Sequence, residues 1–392
     1  MKIAIASDLH FGYAWGTERE DDSFVQGREA LAKCLDADVI LLPGDVFDSR
    51  VPKPEVMDQA MRVLGIARAS HSGAAVTAFR SGKDLAVGVG TPIVAIHGTH
   101  ERRARGLTNP IELMDGAGVC IHVHNDAVIL SKGNEAVAIH GMGGVPEQYA
   151  PSALQECSFT PIAGAVNILM LHQSFREYIY EDAAFLSMDN LPPGFDLYVN
   201  GHVHTSDVKE KDGKILLHPG STIITQMRKA EAEQPKHVWF YDTATKALSS
   251  EKLETPRPLH CFDVEASGTA SDTISKARQL LENVEPHNPK PLIKLKITGS
   301  LPPGSSINTR DITRGFGDLI ISVDSTAEAE QFRKKIELLR QAQAKKSIDE
   351  IGLSILDKNL EQAGYSGPKA NELLPLLVEG KETEARRLIF EE

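Results

Sequence analysis

Five short segments of this 392-residue chain carry the residue types that bind metal ions and handle phosphate. They are Asp8-Leu9-His10, Gly44-Asp45, Gly98-Thr99-His100-Glu101, His172 and Gly201-His202-Val203-His204. Carboxylates and imidazoles without a thiolate suit Mn, Fe or Zn better than Ca or Mg. On an extended backbone, the Asp-x-His and His-x-His spacings put both side chains on one side. The two can then reach one ion, or one each of two adjacent ions. Any one segment alone reads more readily as a surface or satisfied core histidine than as a ligand. What points to a metal centre is the whole set, each member just past an expected strand and most of them beside glycine. Gly44, Gly98 and Gly201 are expected to let the backbone turn tightly there.

The elements that must position these groups are legible in the apolar pattern. Residues 2–7, 38–42 and 93–96 read as strands, and residues 24–35 and 55–67 as helices, with Pro52 and Pro54 opening the second. Such alternation predicts an α/β layer architecture, in which the C-terminal ends of strands meet along one edge. After about residue 120, hairpins are expected around Lys132-Gly133-Asn134 and Lys211-Asp212-Gly213, implying a mixed sheet or two stacked sheets. The glycine-, alanine- and serine-rich stretch 70–90 reads as a surface insertion. Thr255-Pro256-Arg257-Pro258 reads as a linker. Beyond it, strands at 261–264, 291–297 and 319–323 and a helix at 275–281 suggest a small α/β module. A charged helix at 327–346 and a tail of amphipathic helices broken at Gly364, Gly367 and Gly380 complete the chain.

Composition narrows the class. The chain is 41% hydrophobic and 24% charged, which suits a folded soluble protein. Lys and Arg total 42 against 54 Asp and Glu, a net charge of −12. That balance argues against broad adhesion to nucleic acid or anionic membrane, while leaving room for a local basic groove or a metal-bridged phosphate. Cys34, Cys120, Cys157 and Cys261 are scattered, so neither a zinc knuckle nor a disulfide framework is indicated. No secretory leader pattern and no membrane-length apolar stretch is apparent, and a cytoplasmic protein without a membrane is expected.

In order, D-x-H, G-D, G-N-H-[DE], H and G-H-x-H resemble the signature of the calcineurin-like metallophosphoesterases. The closer resemblance is to the archaeal-type Mre-eleven and SbcD family of double-strand-break repair nucleases. Asp8-Leu9-His10-Phe11-Gly12 is similar to that family's opening motif, and Gly44-Asp45-Val46-Phe47-Asp48 to its second motif in the bacterial style. His218-Pro219-Gly220-Ser221-Thr222 resembles the turn that closes its nuclease domain. The motifs cover the first 222 residues; beyond them only the layout is similar.

The resemblance implies a double β-sheet sandwich flanked by helices over 1–254, a DNA-capping α/β domain over 255–346, and a helical tail over 347–392 that binds the coiled coil of an SMC-like ATPase of the SbcC type. It implies two divalent ions, Mn²⁺ foremost. Asp8, His10, Asp45 and His204 would hold one; Asp45 would bridge to the second, held by His172, His202 and Thr99. His100 would act beside the scissile phosphate as acid or transition-state stabiliser. The activity implied is hydrolysis of DNA phosphodiesters, as 3′-to-5′ exonuclease and single-strand endonuclease. A homodimer is implied through the helices carrying Val56, Met57, Met61, Leu64, Leu113 and Met114.

One position departs from the pattern: Thr99 stands where the family has Asn. A hydroxyl is a shorter and poorer ligand than an amide oxygen, so Thr99 binds the second ion weakly, a water replaces it, or the site is damaged. Two other readings stay open, a metallophosphoesterase for small phosphodiesters and a catalytically weak DNA-end-binding scaffold. Arg102, Arg103 and Arg105 are either phosphate contacts or a solvated loop. His97, His122, His124 and His140 are expected to be structural. The apolar tail residues Ile355, Leu356, Leu360, Leu373, Leu374, Leu377 and Leu388 are expected to dock on the partner coiled coil.

Overall fold

The computed structural model describes residues 1–325 apart from 71, 84–89, 105, 179–184 and 303–304, and thereafter 352–353, 356–357, 360, 370–378 and 381–390. In chain order it begins with β1 (Lys2–Ile5), α1 (Asp22–Lys33), β2 (Val39–Pro43), α2 (Pro54–Leu64), β3 (Ala75–Phe79), β4 (Ile93–Ile96), α3 (Pro110–Gly116), β5 (Ile121–His122), β6 (Asp126–Lys132) and β7 (Glu135–Met142). It continues with α4 (Ala150–Cys157), β8 (Val166–Leu171), β9 (Leu197–Asn200), β10 (Asp207–Lys211), β11 (Lys214–His218), α5 (Lys229–Glu233), β12 (His237–Asp242) and β13 (Leu248–Lys252). Then come β14 (Leu259–Ala266), α6 (Ala270–Glu282), β15 (Leu292–Gly299), α7 (Thr309–Thr313), β16 (Ile320–Ser325), α8 (Ala370–Val378) and α9 (Glu382–Phe390).

The strands order as a six-stranded sheet β13-β12-β1-β2-β4-β5 and a seven-stranded sheet β10-β11-β9-β8-β7-β6-β3. β1, β2, β4 and β5 run parallel, as do β7, β8, β9 and β11. All five residues of β2 are buried, which only a strand covered on both faces tolerates. Its alternate residues serve two layers. Ile40 and Leu42 pack with Phe24, Leu31, Val56, Val63 and Ile111 from α1, α2 and α3. Val39 and Leu41 pack with Val137, Ile139, Ile168 and Met170 of the other sheet. On that sheet's far face, Leu169, Leu171 and Tyr198 meet Leu154 of α4 together with Phe159 and Phe175. The layers are therefore helix, sheet, sheet and helix, the sandwich that the motif resemblance implies. Each fully buried Ile or Leu is worth roughly 1.5–3 kcal/mol over exposure, so the layer between the sheets anchors the strands whose ends matter below.

Both expected hairpins form. β10 and β11 are joined by Asp212 and Gly213, both at positive φ (52° and 74°), the pairing a two-residue hairpin turn favours. Pro54 occupies the first turn of α2, where its missing N–H costs nothing. The stretch 70–90 differs from expectation. Within it β3 extends the seven-stranded sheet by pairing with β6, shifting register between Val76 and Ala78. The glycine, alanine and serine around it masked a short strand whose Val76, Thr77 and Phe79 favour β structure and whose partner β6 lies far along the chain.

By compactness the chain divides into two units, one of 1–262, 284–294 and 315–322, the other of 263–283, 295–314 and 323–392. Strands β14, β15 and β16 form a three-stranded sheet in that order. α6 opens with a Thr269–Asp272 capping box and buries Thr273, Ala277 and Leu281. In the tail, Leu373 of α8 and Ala385 of α9 are buried and Leu377 is exposed. The expected helix at 327–346, Gly364, Gly367, Gly380 and Ile355 lie outside the described residues. Among those described, no helix is long and apolar enough to cross a membrane.

Candidate metal centre

Each of the five segments follows a strand directly: Asp8 after β1, Asp45 after β2, Thr99 after β4, His172 after β8 and His202 after β9. Three of these strands belong to one sheet and two to the other, so the site spans the C-terminal ends of both. The convergence is not achieved on extended backbone, as the spacing suggested. Asp8, His10, Asp45 and His202 all adopt positive φ (51°, 48°, 47° and 74°). Asp and His tolerate this region better than most side chains, but each such residue still costs on the order of 1–3 kcal/mol, a strain characteristic of functional sites. The glycines also work differently from one another. Only Gly44 needs its freedom of φ, at 92°. At Gly98 and Gly201 the reason is close approach: a Cβ on Gly98 would overlap Asp45 Oδ1, and one on Gly201 would overlap the Pro43 carbonyl.

The side chains gather into three sets whose ligand atoms lie within 4.8 Å of one another: Asp8 with His10 and His204, Asp45 with His172 and His202, and His10 with Asp48 and His100. His10 and His204 face each other through Nε2 at 3.2 Å. Each has its Nδ1 engaged elsewhere, His10 donating to Asp48 Oδ1 at 3.0 Å and His204 lying 2.9 Å from Thr225 Oγ1. His172 Nδ1 donates to the Pro43 carbonyl at 2.8 Å. Its Nε2 is fully enclosed and makes no aligned hydrogen bond, although Asp45 Oδ2 is 3.1 Å away. With Nδ1–H tied down, the neutral form of such an imidazole presents its Nε2 lone pair, and Nε2 atoms facing one another or a carboxylate fit a cation that would take the place of a proton there. The donor set therefore suits divalent metal ions.

Asp8 accepts from the Ser7 hydroxyl and from the His202 backbone N–H. Thr99 Oγ1 donates to Asp45 Oδ2 at 3.3 Å, and the His100 backbone N–H donates to Asp45 Oδ1 at 2.9 Å. His100 Nδ1 donates to the Asp48 carbonyl at 3.0 Å, which fixes a half-exposed ring and leaves Nε2 as its free nitrogen. Electrostatics follow from burial and from the excess of carboxylates. Burial pulls His172 down, but Asp45 beside it raises the imidazole to about 10. His202 and His204 are pushed down to about 4 and about 2, by burial and by His172 and His10 respectively. Burial, with Asp45 nearby, raises Glu101 to about 8.

Residues 1–206 match the sequence profile of the calcineurin-like phosphoesterase family. The chain belongs to that family. Among curated relatives, the double-strand break repair protein mus-23 of Neurospora crassa is 26% identical over 304 residues, covering 66% of this chain and 40% of the relative. The double-strand break repair protein MRE11 of Encephalitozoon cuniculi is 28% identical over 287 residues, 66% of this chain and 48% of the relative. An archaeal Mre11 from Methanopyrus kandleri is 25% identical over 238 residues, covering 56% and 48%. The chain thus spans less than half the length of these relatives.

This phosphoesterase chain brings all seven expected ligands and His100 to one strand edge, with Thr99 touching Asp45 rather than standing apart. Sequence reasoning gave no role to several residues that hold them. Asp48 serves both His10 and His100. Glu101, fully buried, accepts from the Phe47 and Gly98 backbone N–H groups at 2.8 and 2.7 Å and so fastens the loop after β4 to the loop after β2. Asp48 lies inside a quoted motif, so its place was visible but its task was not. Arg102 and Arg103 are half-buried, and Arg105 lies outside the described residues. His97 and His122 share a hydrogen bond at 3.0 Å, and His140 is buried against Phe159 and Phe195 while bonded to Asn167. Asp48→Ala should weaken divalent-metal affinity roughly 10–100-fold by freeing the His10 ring. Equilibrium Mn²⁺ binding checks this, and unchanged affinity would show that His10 is held by other means.

Proposed function

We propose that the chain is the nuclease subunit of a double-strand-break repair complex, hydrolysing DNA phosphodiesters with two divalent ions, Mn²⁺ foremost. The observation that carries this reading is the pair of adjacent ligand sets, Asp8–His10–His204 and Asp45–His172–His202, with His100 beside them. The names of the repair-protein relatives support the substrate. Asp8, His10, Asp45 and His204 would hold one ion, and Asp45, His172, His202 and Thr99 the other. The ions would supply Lewis-acid stabilisation of phosphoryl oxygens and activation of water. Asp48 and Pro43 fix the tautomers of His10 and His172 through Nδ1. His100, held through Nδ1 and carrying a second proton on Nε2, would hand that proton to the leaving oxygen and be left as the neutral ring.

The homodimer is part of the proposal. Of the six apolar residues expected to form it, Val56, Leu64 and Met114 are buried in the chain's own core, so Met61 of α2 and Leu113 of α3, which are exposed, are the ones that would meet a second copy. The segment 255–346 would cap DNA, and the tail would dock on the coiled coil of an SMC-like ATPase, with Leu377 part of its apolar surface. A cytoplasmic setting at the nucleoid goes with this role.

Mn²⁺-dependent cleavage of end-labelled linear duplex and single-stranded DNA, beside a small chromogenic phosphodiester, tests the substrate class. Degradation of DNA supports the nuclease; turnover of the small ester alone would replace it with a small-substrate phosphodiesterase. Thr99→Asn should lower the Mn²⁺ concentration for half-maximal rate by about tenfold, as an amide oxygen replaces a hydroxyl at the second ion. A Mn²⁺ titration of the rate reads this, and an unmoved midpoint would mean that residue 99 contributes no ligand.

A further inference from the structure

Residues outside the five motifs surround His204. Its Nδ1 lies 2.9 Å from Thr225 Oγ1, and its backbone carbonyl accepts from Lys236 Nζ at 3.2 Å. The same ammonium donates to Ser221 Oγ and Glu231 Oε1, both at 2.8 Å. Three protons thus meet three acceptors. Lys236 and Glu231 are only 5% and 4% exposed. The other Glu231 oxygen accepts from the Gln226 backbone N–H at 3.1 Å, so the short helix α5 is tied back to the segment that carries Thr225. That segment is held from the opposite side as well, Tyr13 Oη donating to the Thr225 carbonyl at 2.8 Å and Arg19 Nη2 to the Ile224 carbonyl at 2.5 Å.

A buried Lys–Glu pair is a poor source of stability, because the desolvation of two ions largely cancels their attraction. Here the bonds of the pair run to the loop that carries His204, so what it supplies is geometry. We propose that Thr225 and the buried Lys236–Glu231 pair form a clamp that positions His204. Thr225 engages Nδ1 and Lys236 the main chain, leaving Nε2 free beside His10 Nε2 for a divalent cation. The clamp rests on the metal-centre reading above and adds to it positioning residues from a different part of the chain.

Calorimetric Mn²⁺ titration of the full chain tests it, with the variants Thr225→Val, Thr225→Ser and the double variant Glu231→Gln/Lys236→Met. The wild type should take up two ions. Thr225→Val and the double variant should each weaken one binding event about 10–100-fold and leave the other in place. Thr225→Ser, which keeps the hydroxyl, should restore it. The double variant removes both charges together and leaves no unpaired buried ion. Thr225→Val disturbs no buried charge and decides the matter if the double variant loses its circular dichroism signal. Wild-type affinity at both sites in Thr225→Val overturns the clamp and leaves the two-ion reading standing. A wild type that takes up no Mn²⁺ overturns the metal-centre reading, and the clamp with it.

Discussion

Asp45→Asn should reduce Mn²⁺-dependent phosphodiester hydrolysis on the order of a thousandfold or more while the chain stays folded. The amide keeps the shape of the carboxylate, and its oxygen can still accept from the His100 backbone N–H. What it loses is the negative charge that faces His172 Nε2 at 3.1 Å and receives the Thr99 hydroxyl. Lewis-acid stabilisation by a bound ion is worth several kcal/mol, and each 1.4 kcal/mol is a factor of ten in rate. Loss of the residue proposed to touch both ions should therefore outweigh every other single change. The fold should tolerate it, because removing the charge also relieves Glu101, which burial and then Asp45 push toward its neutral form. Initial rates at saturating Mn²⁺, with thermal melting as the control for folding, measure the effect. A loss of less than tenfold would remove Asp45 from the centre of the chemistry.

His100→Ala should cost about 10²–10⁴-fold in kcat on DNA, the usual contribution of a positioned general acid. Its side chain is 45% exposed and belongs to neither set proposed to hold the ions, so Mn²⁺ stoichiometry should stay at the wild-type value. The loss should also depend on the leaving group. A small chromogenic ester, whose phenolate departs without a proton, should lose far less than DNA, whose alkoxide needs one. Parallel rate measurements on the two substrates give the comparison. Equal losses on both would assign His100 to charge stabilisation rather than proton transfer.

The sheets and the site's location were legible in the sequence because both depend on local pattern. Apolar runs such as 93–96 specify buried strands, and the motif residues stand immediately beyond them, so their meeting along one edge follows from the layer architecture. The turn glycine of β10–β11 was legible for the same reason. Hidden features depend on long-range contact or on backbone conformation. Positive φ at Asp8, His10, Asp45 and His202 carries no compositional mark, since no glycine stands there. β3 is a five-residue strand set in a glycine-, alanine- and serine-rich stretch, and its partner β6 lies some fifty residues on. Asp48, Glu101, Thr225, Glu231 and Lys236 reach their partners through the fold, the last three from beyond residue 222, where the motifs had ended. Gly98 and Gly201 were singled out correctly, yet their reason, contact with Asp45 and Pro43, could be read only in three dimensions.

The most direct measurement is anomalous diffraction at the manganese edge from crystals of the chain grown with Mn²⁺. Two peaks are expected, one bounded by Asp8, His10 and His204 and one by Asp45, His172 and His202. An absence of anomalous density at those residues in Mn²⁺-saturated crystals would contradict the metal centre, and with it the proposed nuclease.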